Sequence, residues 1–281
     1  MLNKESEYTY VISKDSDVEN GDFGKNVGMT IDTEKMSIRH GGLDEGGQGG
    51  DSSVLDDLIE GKSGVHLVSN AESVRDAAFA DLKKNGLNFG LGWYLESVDL
   101  PNAMSIGKYA FSSCTALTSV NLPNATSIGG NAFAICPALT SINLPNATSI
   151  GEHAFDSCYA LTSVDLPNAT SIGNYAFYNG SALTSVNFPN VMSIGETAFG
   201  SCSALTSVNL PNATSIGGGA FAVCSALTSI NLPNATSISG TAFHDISPNA
   251  VINIGAAEGE ISGAPWGAPE GVTINYNVKG A

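Results

Sequence analysis

Proline stands at positions 101, 123, 145, 167, 189, 211 and 233, and phenylalanine at 111, 133, 155, 177, 199, 221 and 243. Both series step by 22 residues, and nothing else in the chain restricts its fold as much. The unit reads Leu-x-x-Val/Ile-x-Leu-Pro-Asn-Ala-x-Ser-Ile-Gly-x-x-Ala-Phe-x-x-Cys-x-x. A unit this short cannot enclose a core alone. Copies must stack and bury one another's apolar groups, so the period predicts a solenoid. The alternation at Val120-Asn121-Leu122 reads as a strand with Val and Leu inward and Asn outward. Pro123-Asn124 then turns the chain off the sheet, and Ile128, Ala132 and Phe133 return apolar groups to the interior.

The Leu-x-x-Val/Ile-x-Leu spacing within a fixed period is that of leucine-rich repeats. The expected fold is therefore a right-handed leucine-rich-repeat solenoid, mostly parallel β with short turns or helices. One continuous sheet is expected, with coils about 4.8 Å apart and a cap at each end. The regular repeats occupy 98–254. Steps of 22 from Ile230-Asn231-Leu232 land on Ile252-Asn253-Ile254 and Ile274-Asn275-Tyr276, so residues 255–281 form a C-terminal cap with a final in-register strand. Upstream, "GVHLVSNAESVRDAAF" reads as a degenerate first coil with one extra residue, placing His66 where later coils have Asn. It belongs to an N-terminal cap, 53–97, in which "DSSVLDDLIEG" and "ESVRDAAFADLKKNG" have helical patterns and Gly stops. Both tryptophans, Trp93 and Trp266, lie outside the regular repeats, where open apolar ends need cover. Residues 40–52 are a Gly-rich linker. Residues 1–39 form a small β element, too short to be stable alone, and a candidate for homo-oligomerisation.

The formal net charge of −16 argues against nucleic acid and anionic membranes as partners. No apolar run reaches the roughly 18 residues of a membrane span, so insertion is not expected. The N-terminus, "MLNKESEYTYVISKDSDV", lacks the apolar core of a secretory signal.

"AFSSCTALTSVNLPNATSIG" resembles the BspA-like class of leucine-rich repeats, with its Ala-Phe-x-x-Cys-x-x-Leu-x-x-Ile-x-Leu-Pro pattern. The resemblance implies a bacterial surface protein, with adhesion to matrix proteins as the leading role. Similar "LPNATSIG" arrays also resemble those of gut phage and prophage proteins, which implies a cell-surface, extracellular or virion location.

The motifs that carry chemistry elsewhere do not do so here. Cys114, Cys136, Cys158, Cys202 and Cys224 share one repeat position, with Gly180 in the remaining slot. Metal ligands sit two to four residues apart, whereas these are 22 apart. Stacked equivalents lie close enough for a disulfide, but their side chains point the same way. They read as small buried thiols. "EGKSG" lacks the first glycine of a phosphate-binding loop, since Asp56 stands in its place. His40, His66, His153 and His244 form no ligand pair. The Asn-Ala-Thr sequons at Asn124, Asn146, Asn168, Asn212 and Asn234 read as turns after proline. No enzyme, cofactor or metal is expected.

Two surfaces remain as binding candidates. Asn121, Asn143, Asp165, Asn187, Asn209 and Asn231 form an outward polar ladder, read either as amides bonded along the sheet or as a flat recognition face. Differences between coils concentrate instead beside Ala-Phe, where Tyr109, His153, Tyr159, Tyr175 and Tyr178 stand. A discriminating partner must read what differs, and tyrosine suits interface centres. The expected function is non-enzymatic adhesion to a protein or glycan, with a virion structural component as the alternative.

Overall fold

Three ladders of hydrogen bonds define each coil, and they follow directly from the repeat. The computed structural model describes residues 73–74 and 95–278, and the backbones of short strands at 3–6, 9–12, 29–32, 37–40, 65–69, 83–84 and 87–88. The chain divides into two units, Met1–Leu144 and Pro145–Ala281, each a stack of coils.

In the first unit the front strands Leu95–Asp99, Ser119–Asn121 and Ser141–Asn143 pair in parallel, with Ser97, Ser119 and Ser141 aligned. A second parallel ladder joins Ser73–Val74, Ser105–Ile106 and Ser127–Ile128. The third side is a turn face. There the amides of Tyr109, Phe111 and Ser113 donate to the carbonyls of Gly130, Ala132 and Ala134 at 2.9, 2.7 and 2.8 Å.

The second unit repeats this plan. Its side ladder runs through Ser149–Ile150, Ser171–Ile172, Ser193–Ile194, Ser215–Ile216 and Ser237–Ile238. Its front strands form two sheets, one of Ser163–Asp165 with Ser185–Asn187, the other of Ser207–Asn209, Ser229–Leu232, Val251–Ile254 and Thr273–Asn275. The last two strands keep the repeat register, with Asn231, Asn253 and Asn275 aligned.

The core is a set of stacked columns. In the second unit Phe155, Phe177, Phe199, Phe221 and Phe243 lie ring over ring, with centroids 5.3, 5.3, 5.4 and 6.0 Å apart. Each fully buried large side chain contributes roughly 1.5–3 kcal/mol. Stacking adds about 0.5–1.5 kcal/mol per pair. Trp266, fully buried, meets Phe243 edge-on at 6.4 Å, and its indole N–H donates to the Ser262 carbonyl at 3.0 Å.

The repeated polar residues each hold the coil before them. Asn124 donates to the Pro101 carbonyl at 2.7 Å, Asn168 to Pro145 at 2.8 Å and Asn212 to Pro189 at 2.7 Å. The Thr126 and Thr140 hydroxyls donate to the carbonyls of Met104 and Thr118. Buried thiols do the same: Cys136, Cys202 and Cys224 donate to the carbonyls of Phe111, Phe177 and Phe199 at 3.2, 3.3 and 3.1 Å. The sequon Asn residues are therefore turn residues engaged with the neighbouring coil. The Gly of Ser-Ile-Gly has a steric cause. A Cβ on Gly195 would lie 2.6 Å from the Gly173 carbonyl carbon.

Several expectations need correction. The front sheet of the second unit is interrupted, and a second sheet of two-residue strands runs beside it. No helix occurs among the described residues. Ser73–Val74 is a strand aligned with Ser105–Ile106, and Lys83–Lys84 pairs antiparallel with Leu87–Asn88, where a helix was expected. The intervening Asn-Gly is a strong hairpin signal as well as a helix stop. His66 lies opposite Ser97, and Val68 opposite Asp99, because the connection from this strand to Ser73 is shorter than in regular coils. The Gly-rich segment 41–52, the helix expected at 51–61, and Trp93 lie outside the described residues.

Candidate functional site

Each turn from Tyr109 to Val223 holds two backbone positions in the left-handed region, and the turn after it holds one, Asp245. One column is Tyr109, Asn131, His153, Tyr175, Thr197 and Gly219, with φ of 53–61°. The other is Ser113, Ile135, Ser157, Asn179, Ser201, Val223 and Asp245, with φ of 57–63°. Such a conformation costs an L-residue roughly 1–2 kcal/mol, and glycine or asparagine tolerates it best. The first column nevertheless carries Tyr, His and Thr. The positions that differ most between coils are thus among those where the backbone is least comfortable.

In the second unit the turn faces of three coils are locked in register. The amides of His153, Phe155 and Ser157 donate to the carbonyls of Asn174, Ala176 and Tyr178 at 2.8, 2.7 and 2.8 Å. Those of Tyr175, Phe177 and Asn179 donate onward to Glu196, Ala198 and Gly200 at 2.8, 2.8 and 2.9 Å. The result is a grid of three columns: Glu152–Asn174–Glu196, His153–Tyr175–Thr197 and Asp156–Tyr178–Gly200. His153 and Tyr175 stack at 4.7 Å with planes 5° apart, and Tyr178 meets Tyr175 edge-on at 5.7 Å. His153 Nδ1 lies 2.8 Å from Asp156 Oδ2, and the Ser157 hydroxyl donates to Asp156 Oδ1 at 2.8 Å. Gly200 leaves room for both Thr197 and Tyr178, because a Cβ there would lie 2.5 Å from Thr197 Cγ2 and 3.1 Å from Tyr178 Cδ2. Glu152, Asn174 and Glu196 are exposed, and the Glu196 amide donates to Asn174 Oδ1 at 2.9 Å.

The structure brings together His153, Tyr175 and Tyr178 from the sequence-derived set. Tyr159 is exposed on the connection beyond Cys158, and its carbonyl accepts from the Ala182 amide. Tyr109 is an exposed left-handed residue of the first unit. Asp156, the partner of His153, is one of the positions that vary between coils but stands outside the sequence-derived set, and Gly200 is not singled out by sequence reasoning. The signal for both was present, since each replaces a Ser or Ala found at the same slot in other coils.

The polar ladder is bonded side chain to side chain. Asn121 donates to Asp99 at 2.8 Å and Asn143 to Asn121 at 2.6 Å. In the second unit Asn187 donates to Asp165, Asn253 to Asn231 and Asn275 to Asn253, at 2.9, 2.6 and 2.9 Å. Asn209 is exposed and makes no side-chain hydrogen bond among the described residues. Within each unit the column repeats Asn with little variation, Asp99 and Asp165 being the exceptions.

Among the described residues no group of three or more His, Cys, Asp or Glu could hold a metal ion. No helix among them is long and apolar enough to cross a membrane.

A repeat profile agrees with this architecture. The profile of the BspA type leucine rich repeat region matches residues 88–191 and 148–261 in 6 copies. Among solved structures, the T. pallidum leucine rich repeat protein is 25% identical, with 71% of this chain and 86% of that one covered and a TM-score of 0.48. A leucine-rich repeat protein from Bacteroides ovatus is 19% identical, covering 72% of this chain and 64% of that one, with a TM-score of 0.46. A leucine rich cell surface protein from Faecalibacterium prausnitzii is 17% identical, covering 72% and 86%, with a TM-score of 0.30. No curated protein matches the chain. With the profile spanning more than half of its length, the chain belongs to the BspA type leucine-rich-repeat family.

Proposed function

We propose that this protein is a non-enzymatic binding scaffold acting at a cell surface, an adhesion module for a protein or glycan, with the His153–Tyr175–Tyr178 face as its contact. Its family is generally non-catalytic and typically found at the cell surface, which points to binding and adhesion. One observation carries the choice of face. The repeated polar columns mostly spend their groups on neighbouring coils, whereas the coil-specific residues gather into one aromatic grid held on strained backbone. A rigid scaffold of this kind presents a preorganised surface, and clustering on a cell strengthens weak contacts through multivalency.

The test is a binding screen of the purified protein against matrix proteins and a glycan array. The Tyr175→Ser/Tyr178→Ala variant is expected to lose about tenfold or more in affinity for any ligand found, since central tyrosines carry much of an interface. Urea unfolding checks that the variant is folded. A folded variant that binds as well as the parent removes this face from the proposal.

A further inference from the structure

We propose that the Tyr175–Tyr178 face takes a cationic side chain, a lysine or arginine on a basic segment of a protein partner, in preference to a neutral glycan. The inference rests on that face being the contact surface. Its argument is the charge and chemistry of the grid. Three carboxylates share the grid with the two tyrosines: exposed Glu152 and Glu196 in the column next to that of Tyr175, and Asp156, engaged by His153 and Ser157, one coil before Tyr178. Glu152 and Glu196 are both exposed and stand two coils apart in one column, on the order of 10 Å at the usual strand spacing.

Among the described residues of the second unit Glu152 and Glu196 have no ion-pair partner, while Asp156 sits against His153. The described residues of the second unit hold Glu152, Asp156, Asp165, Glu196, Asp245, Glu258, Glu260 and Glu270, and no Lys or Arg. Its two histidines each sit against an aspartate of their own, His153 with Asp156 and His244 with Asp245. Tyrosine rings attract cations through their electron-rich faces, and carboxylates accept hydrogen bonds without donating any. Asn174 Oδ1 is already engaged by the Glu196 amide, so the acceptors left beside the tyrosines are carboxylates, which hold a charged donor more strongly than a neutral hydroxyl. The next two coils carry Gly218, Gly219, Ala222, Gly240, Thr241 and His244 in the same slots, with no tyrosine or carboxylate among them, so the second unit builds this chemistry once.

The experiment is calorimetric titration of the full chain with end-capped tetra-arginine, with an end-capped tetramer of Nε-acetyl-lysine and fully N-acetylated chitotetraose as uncharged probes. Tetra-arginine should bind, and its affinity should fall several-fold between about 50 and about 300 mM NaCl. The Glu152→Gln/Glu196→Gln variant should weaken it by about fivefold or more, and Tyr175→Ser likewise, while Glu258→Gln/Glu270→Gln should change it little. Equal losses from the distant pair would show diffuse attraction to an acidic protein, and the inference would fall. Tyr175-dependent binding of chitotetraose without tetra-arginine would keep the contact surface and overturn the cationic assignment. If no probe depends on Tyr175, both readings fall.

Discussion

Cys224 shows how a single side chain serves the stack. Burial pushes its thiol from an ordinary 9.0 up to about 12, and burial likewise raises Cys136 and Cys202. The raised value favours the neutral thiol, which is the form that donates to the Phe199 carbonyl. The unfolded chain releases its proton first, so the stabilisation is complete below about pH 9. It declines as pH rises from about 9 toward 12, by up to about 1.4 kcal/mol per pH unit for each such thiol. Urea midpoints should therefore be flat from pH 7 to 8.5 and fall above it, and Cys224→Ala should shallow the slope. A flat profile to pH 10 would show that the thiols titrate without cost in the fold. Backbone strain gives a second expectation. Val223 is exposed, branched and at φ 60°, while Asn179 fills the equivalent slot at the same angle. Val223→Asn should raise stability by about 1 kcal/mol, read from the urea midpoint, because asparagine tolerates this region.

Phe188 is the place where one element departs from the repeat. Other coils have Leu there, and its larger ring lies 6.3 Å from Phe177 and 5.7 Å from Phe199. The Leu166 and Leu210 amides donate to the next coil's Asn carbonyl at 3.1 and 3.0 Å, yet among the described residues the Phe188 amide makes no such bond. The front sheet is split at this coil, while the side ladder and the turn ladder continue. The added ring volume predicts a local opening of one side only. In hydrogen exchange the Phe188 amide should be less protected than those of Leu166 and Leu210, and Phe188→Leu should slow its exchange about tenfold or more. Equal protection in the parent would remove the wedge. At the C-terminal end of the phenylalanine column, Trp266→Ala should cost about 3–5 kcal/mol, since it empties a fully buried site against Phe243.

At the scale of the whole molecule, charge sets the conditions under which the protein works. A formal net charge of −16 repels itself, and the second unit contributes eight acidic residues against a single Lys279. Salt screens such repulsion over a Debye length of about 10 Å at 0.1 M. Thermal midpoints should therefore rise by a few degrees as NaCl is raised from about 20 to about 500 mM, at a scale set by that screening. A midpoint that falls with salt would indicate that favourable ion pairs dominate instead.

What the sequence determined by itself is the period, and with it the stacked coils, the inward Val, Leu, Ile and Phe, the buried thiols and the in-register strands at 251–254 and 273–275. A period is legible because every coil faces a copy of itself, so each apolar or polar slot has one solution repeated. Tertiary structure decided what depends on contacts across coils. The two-residue side strands are too short to show an alternation, and only their parallel pairing reveals them. The bond between His153 and Asp156, the stacking of His153 on Tyr175 and the space that Gly200 leaves for Tyr178 join residues of different or irregular slots. The left-handed angles at the variable positions belong to the same class. At Tyr109, His153, Tyr175 and Thr197 they accompany inter-coil amide bonds, although the residues in the slot differ.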